Sequence, residues 1–211
     1  MLGTHDLWAF LIASVLLWLT PGPDTIYILG RSIAQGRRAG VISALGIGAG
    51  LLIHTSFAAF GLSAILATSA WAFSVIKIAG AVYLVYLGVQ LLRRNDARPA
   101  ASGVTPLDSS WRIFRQALLT NALNPKVAVF FLAFLPQFVD RADPGPLPFL
   151  FLGAVFVVGG TAWCLGQAVF AASVTRTMRR NPSMLKRLER LSGCLYILLG
   201  LYLLRLKPHT V

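Results

Sequence analysis

Two short segments carry residue types that chemistry can use. The first is "TPGPD", Thr20 to Asp24, and the second is "NPK", Asn124 to Lys126, three residues after Asn121. Each sets an ionisable side chain directly after a proline, inside an otherwise apolar run. A proline donates no backbone hydrogen bond, so the carbonyl four residues earlier loses its helical partner. The residues after the proline open a new half-helix, whose first N–H groups are unpaired and attract anions. Thr20, Asn121 and Asn124 add side-chain donors and acceptors. Together these groups offer acceptors for a cation and donors for an anion. An intramembrane charge is costly and pairs with another charge or lines a polar path. Asp24 and Lys126 are therefore expected within salt-bridge or one-water distance in some state. Thr20, Pro21, Gly22, Pro23, Asp24, Asn121, Asn124, Pro125 and Lys126 form the candidate site for substrate and protons. His54 and Gln167 are further ionisable and polar groups in apolar runs that could line the path.

The elements that position these residues are apolar helices. Of 211 residues, 56% are hydrophobic and 12% charged, and the mean hydropathy is +0.71. Soluble domains carry roughly 25% charged residues. A bilayer core about 30 Å thick needs roughly 20 apolar residues per helix. Six runs meet or approach this length: 7–29, 41–67, 71–92, 116–139, 147–174 and 191–204. The last is short and could begin nearer Leu188. The runs are too long, and alternate too little, for barrel strands. The fold class expected is an all-α integral membrane protein. The N-terminus lacks a basic region and a small-residue cleavage site, so the first span is expected to remain in the mature protein.

The net charge of +12 reads as membrane topology rather than nucleic-acid binding. Fourteen basic residues fall in the loops between spans 1 and 2, 3 and 4, and 5 and 6, against three on the opposite side. The positive-inside rule places the basic loops in the cytoplasm, against lipid headgroups, and both termini outside. On that topology Asp24 lies about 10 Å, and Lys126 about 16 Å, from the cytoplasmic ends of their spans. Lys77 is expected to snorkel to the interface. Cys164 and Cys194 lie at or within apolar runs and suggest no disulfide framework. Gly46 and Gly50, like Gly36 and Gly40, are small residues four apart, suited to close helix packing; the glycine-rich second span could also serve a homo-oligomer. Phosphate-loop, GxSxG and HExxH signatures are lacking, so catalytic residues, cofactors and metals are not expected.

Residues 95–111, rich in Pro, Ala, Ser and Gly, read as a cytoplasmic linker between a first three-helix repeat, 1–94, and a second, 112–211. Three spans per half would give the halves opposite orientations. The first span of each is broken by proline, and with Pro23 set against Pro125, Asp24 falls against Lys126. Broken spans at corresponding positions point to a midplane binding site.

"LTPGPDTIYIL" in span 1, "FRQALLTNALNPKVAVFFLAFLPQFV" for span 4, and the 3+3 layout resemble the LysE/RhtB family of amino-acid exporters. The resemblance covers nearly the whole chain. It implies a bacterial inner-membrane carrier that exports an amino acid or derivative by proton antiport, with the two motifs as its site. A membrane redox or thiol-transfer protein of related 3+3 fold, and a passive channel, are the competing classes.

Overall fold

The computed structural model describes residues 3–93, 108–140, 145–171, 173 and 182–205. Those residues form an all-helical fold without a β-sheet. Helix α1, Leu7–Leu19, is wholly apolar except for Ser14, whose hydroxyl turns back onto the Phe10 carbonyl. It stops where the sequence requires. Thr20 precedes a proline and takes an extended conformation (ψ 116°), while its hydroxyl donates to the Leu16 carbonyl. Helix α2, Pro23–Gln35, restarts after the extended Gly22, with Pro23 in the first turn, where its missing N–H costs nothing. The axes of α1 and α2 bend by 49°.

The second break repeats the first with different chemistry. Helix α6, Ser110–Ala122, begins at Ser109, whose hydroxyl accepts from the Arg112 N–H. Helix α7, Pro125–Val129, is capped by Asn124, whose Oδ1 accepts from the Lys126 N–H at 3.0 Å. A widened turn, Phe130–Phe134, and a tighter one, Leu135–Phe138, extend α7. The bend here is 45°.

Helix α3, Arg37–Ser56, leaves Gly36, which adopts φ +83°. It continues through a widened turn, Phe57–Leu62, into α4, Ser63–Thr68. Helices α5, Ala70–Arg93, α8, Pro146–Val169, and α9, Pro182–Arg205, complete the set. The continuous helix Arg37–Ile65 and α8 are long and apolar enough to cross a membrane; counting each bent pair as one span brings the number to four.

Helix α3 is the central post, packed on α2, α6 and α8. Its glycines allow this. A Cβ at Gly46 would meet the Phe114 carbonyl oxygen at 2.5 Å, and one at Gly50 would meet Asn121 Oδ1 at 2.7 Å. Helices α5 and α9 pair through Gly88 and Gly193, each set against the other's carbonyl oxygen. An aromatic cluster of Phe10, Phe130, Phe131, Phe134, Phe138, Phe149 and Phe156 fills the space between α1, α7 with its extension, and α8. The outer faces are apolar too. Trp8 (80%), Trp71 (77%) and Val158 (70%) are exposed, as a lipid-facing surface requires.

Several boundaries differ from the sequence reading. The last helix starts at Pro182, not near 188 or 191, because its first two turns are polar and carry no hydropathy signal. Helix α8 ends at Val169, five residues before 174. Most of the stretch read as a linker lies outside the described residues, yet its final residues fold: Asp108 is 5% exposed, and Ser110 and Trp111 open α6. Lys77 does not reach outward; it is buried.

Candidate functional site

The two breaks meet. Asp24, in the first turn of α2, accepts from Asn121 Nδ2 at 2.8 Å and from Asn124 Nδ2 at 3.0 Å, both on Oδ2. A carboxylate at this position also gains from the α2 dipole. Lys126, from the other break, does not bond Asp24. Its Nζ donates to the Thr20 carbonyl at 2.9 Å and the Leu17 carbonyl at 3.1 Å. The Leu17 carbonyl is the one stranded by Pro21, four residues on. A cation at the C-terminal end of α1 satisfies it and complements the helix dipole. In this state Asp24 and Lys126 form no direct salt bridge and are tied by a reciprocal hold. Each charge is bound by groups of the opposite break, and the two interact electrostatically across the gap.

The second break is treated differently. Pro125 removes the i+4 donor of the Asn121 carbonyl, which instead accepts from the Asn124 N–H at 2.8 Å, and His54 Nε2 on α3 lies 3.0 Å from it as well. A carbonyl only accepts, so this nitrogen carries the hydrogen. The imidazole stacks on Phe131, with centroids 5.7 Å apart. The freed carbonyls expected to be open to a ligand are therefore occupied, by Lys126 at one break and by the Asn124 N–H and His54 at the other. Leaving such groups unpaired inside the protein would cost about 1–3 kcal/mol each.

Gly22 gives Lys126 its place. A Cβ there would sit 3.3 Å from Nζ. Having no side chain, Gly22 also leaves the α2 N-terminus uncapped, whereas Asn124 caps α7. Thr20, Asn121 and Asn124 are buried to within 1% of full burial. Pro23 and Pro125 remain exposed and Pro21 half-buried, so the prolines act through the backbone.

Helix α8 supplies a wall that sequence reasoning found only in part. Gly160, Cys164 and Gln167, at i, i+4 and i+7, share one buried stripe. Gln167 Nε2 donates to Thr25 Oγ1 at 3.4 Å, beside Asp24. Cys164 packs in an apolar cluster with Ile28 of α2 and Ala117 of α6, and Trp18 Nε1 sits 3.1 Å from the position of a Gly160 Cβ. Cys164 and Cys194 are both free thiols. The signal for this wall was the period of Gly160 and Gln167, but nothing in it told which face turned inward.

The buried Asp24 Oδ1, Asn121 Oδ1, Gln167 Oε1, Thr161 Oγ1 and Trp18 Nε1 have no hydrogen-bond partner among the described residues. Three of the five are pure acceptors, and Asp24 and Asn121 are joined to each other. Lys126 has three N–H donors and uses two on carbonyls. The third, with the uncapped N–H groups of α2, can meet a carboxylate. No group of three or more Asp, Glu, His or Cys among the described residues could hold a metal.

Residues 15–207 match the family described as LysE type translocator. The chain is 34% identical over 198 residues to a protein named homoserine/homoserine lactone efflux protein from Salmonella typhimurium, covering 93% of this chain and 95% of that one. It is 33% identical over 200 residues to an uncharacterized membrane protein of Vibrio cholerae serotype O1, covering 94% and 96%. It is 27% identical over 199 residues to a leucine efflux protein of Salmonella choleraesuis, covering 92% of each. No solved structure matches it. Across nearly its whole length, broken helices included, the chain belongs to the LysE-type translocator family.

Proposed function

We propose that the chain is a secondary active transporter that exports an amino acid or amino-acid derivative across the bacterial inner membrane. The observation that carries this reading is the reciprocal hold at the two breaks, with Asp24 and Lys126 each bound by the other half beside unpartnered acceptors. Relatives named as homoserine and leucine efflux proteins support the substrate class. The substrate ammonium docks on Asp24 Oδ1, Asn121 Oδ1 and Gln167 Oε1. Its carboxylate docks on the third N–H of Lys126 and the α2 N-terminus.

The architecture under this reading is six spans arranged as two inverted three-helix repeats, 1–94 and 112–211, joined through the linker 95–111. Helices α5 and α9 have 24 residues each, about 36 Å at 1.5 Å per residue, which supports their counting as spans. Both termini face the periplasm and the basic loops face the cytoplasm.

Coupling to protons runs through Asp24. With substrate bound, the carboxylate meets the ammonium. After release outward, a periplasmic proton takes the ammonium's place, neutralises the charge and lets the empty carrier return. His54, whose Nε2 bonds the carbonyl of Asn121, the residue whose amide holds Asp24, is the titratable side chain proposed to relay that proton. Efflux of a panel of amino acids from cells expressing Asp24→Asn tests this. Downhill movement should persist while uphill, pH-gradient-driven efflux is lost. Full gradient-driven efflux in that variant would sink the coupling role.

A further inference from the structure

Helices α2 and α6 meet along a polar seam that runs from the site to one end of the molecule. Asp24, Tyr27 and Arg31 occupy one face of α2 at i, i+3 and i+7. They face, in reverse order, Asn121, then Gln116 and the Ile113 carbonyl, then Asp108. Tyr27 Oη donates to the Ile113 carbonyl at 3.0 Å and lies 3.2 Å from Gln116 Oε1. Arg31 donates through Nε to Tyr27 Oη at 3.2 Å, and through Nη2 to Gln116 Oε1 and to Asp108 Oδ2, the latter at 2.7 Å. Arg112 closes the far side of Asp108 at 3.0 Å. Arg31 is 3% and Asp108 5% exposed.

The other end of the same two broken spans is held differently. The backbone of Thr4 pairs with Val139, His5 N–H donates to the Phe138 carbonyl, and Asp140 N–H donates to the Gly3 carbonyl. The site thus lies between two clasps, one made of main chain and one of charge.

We propose that Arg31 and Asp108, with Tyr27 and Gln116, form the cytoplasmic gate of the export path: they are positioning residues that part to admit substrate and close behind it. This rests on the export reading and its orientation. Three features argue for a gate rather than a staple. The pair joins α2 of the first half to the folded end of the linker just before α6, on the side from which exported substrate enters. Its bonds are ones that water can replace, and Arg31 Nη1 has no partner among the described residues. Arg31 stands two turns from Asp24 on one rigid helix, about 10 Å away, so a tilt of α2 about the Pro21–Pro23 break moves gate and site together. Behind the seam lies the apolar cluster of Ile28, Ala44, Ile47, Ala117 and Cys164, which the closed gate shields.

Cys164 is a native reporter, because it is a buried free thiol in the apolar cluster behind the seam, with Ile28 of α2 and Ala117 of α6. In a Cys194→Ser background, a small membrane-impermeant thiol reagent is applied to inside-out and right-side-out vesicles. Asp108→Ala and Arg31→Gln should each raise the labelling rate of Cys164 by at least about tenfold from the cytoplasmic face only, as loss of one partner of a buried pair opens the contact. Unchanged rates, or acceleration from the outer face, overturn the proposal. This readout needs no substrate, so it stands or falls apart from the export reading.

A second arm uses Arg31→Cys/Asp108→Cys joined by a bifunctional methanethiosulfonate, with labelled homoserine and leucine as probes and the same reagent on the chain lacking these two substitutions as control. Cross-linking should stop efflux and reduction should restore it. A static staple would lose nothing on cross-linking, so undiminished efflux from the verified cross-linked protein also overturns the gate.

Discussion

Gly50→Ala reaches the site without touching a charged residue. The added methyl would stand 2.7 Å from Asn121 Oδ1, 2.8 Å from Asn121 Cβ and 3.0 Å from the Leu118 carbonyl. Ordinary contact begins at 3.4 Å, so α6 must retreat by roughly half an ångström or more at Asn121. Overpacking of this kind costs about 1–3 kcal/mol. The larger effect falls on function. Asn121 Nδ2 donates to Asp24 at 2.8 Å, and the same shift carries that bond toward the limit of about 3.2 Å. A hydrogen bond to a charged group contributes about 1.5–3 kcal/mol, so its loss weakens any step that needs the held carboxylate by roughly 10- to 100-fold. The assay is efflux of labelled substrate at matched membrane abundance, with thermal unfolding in detergent beside it. Gly61→Ala is the control, since a Cβ there meets nothing within 4 Å. Asn121→Gly removes both side-chain contacts as well as the bond, leaving only the Leu118 carbonyl at 3.0 Å. Gly50→Ala added to Asn121→Gly should therefore cost less than Gly50→Ala alone, a non-additivity expected of contacting residues. Normal efflux in Gly50→Ala, or equal damage in Gly61→Ala, would refute the reasoning.

Lys126→Met keeps length but removes two charge-assisted bonds, each worth about 1.5–3 kcal/mol, and strands the Leu17 and Thr20 carbonyls. Efflux should vanish while the chain still fractionates with the membrane; wild-type efflux would remove Lys126 from the site. Pro125→Ala supplies an N–H that can pair with the Asn121 carbonyl in place of the Asn124 N–H and His54. The 45° bend should relax, thermal stability should hold or rise, and efflux should fall at least about tenfold; unaltered efflux would show that the bend serves no transport step.

The breaks themselves were legible, because proline chemistry is local: Thr20, Pro21 and Pro23 act on neighbours within four residues, and so do Asn124 and Pro125. The partner of each charge was not. Opposite charges at matching depth suggested that Asp24 would meet Lys126. A desolvated ammonium with three donors, however, is better served by two carbonyls already stranded beside it than by one carboxylate already held by two amides. Arg31 was counted as a loop charge and Asp108 as linker, since a chain reads the same whether such residues face water or one another. The α8 wall depended on helix rotation, which a helix that is apolar all round does not disclose. The polar starts of α6 and α9 escaped because hydropathy marks only the parts of a helix that lipid touches.

The crossed attachment of the two breaks also governs the order of assembly. Span 1 emerges from the ribosome about a hundred residues before Asn121, Asn124 and Lys126. Until they arrive, the carboxylate of Asp24 and the open end of α1 have no protein partner, and hydrocarbon offers none. Helices α1 to α3 must therefore wait in a wetter or shallower setting than their final one. The break between α1 and α2 is completed only when α6 and α7 insert, so a ribosome that stalls before them leaves that break without its partners.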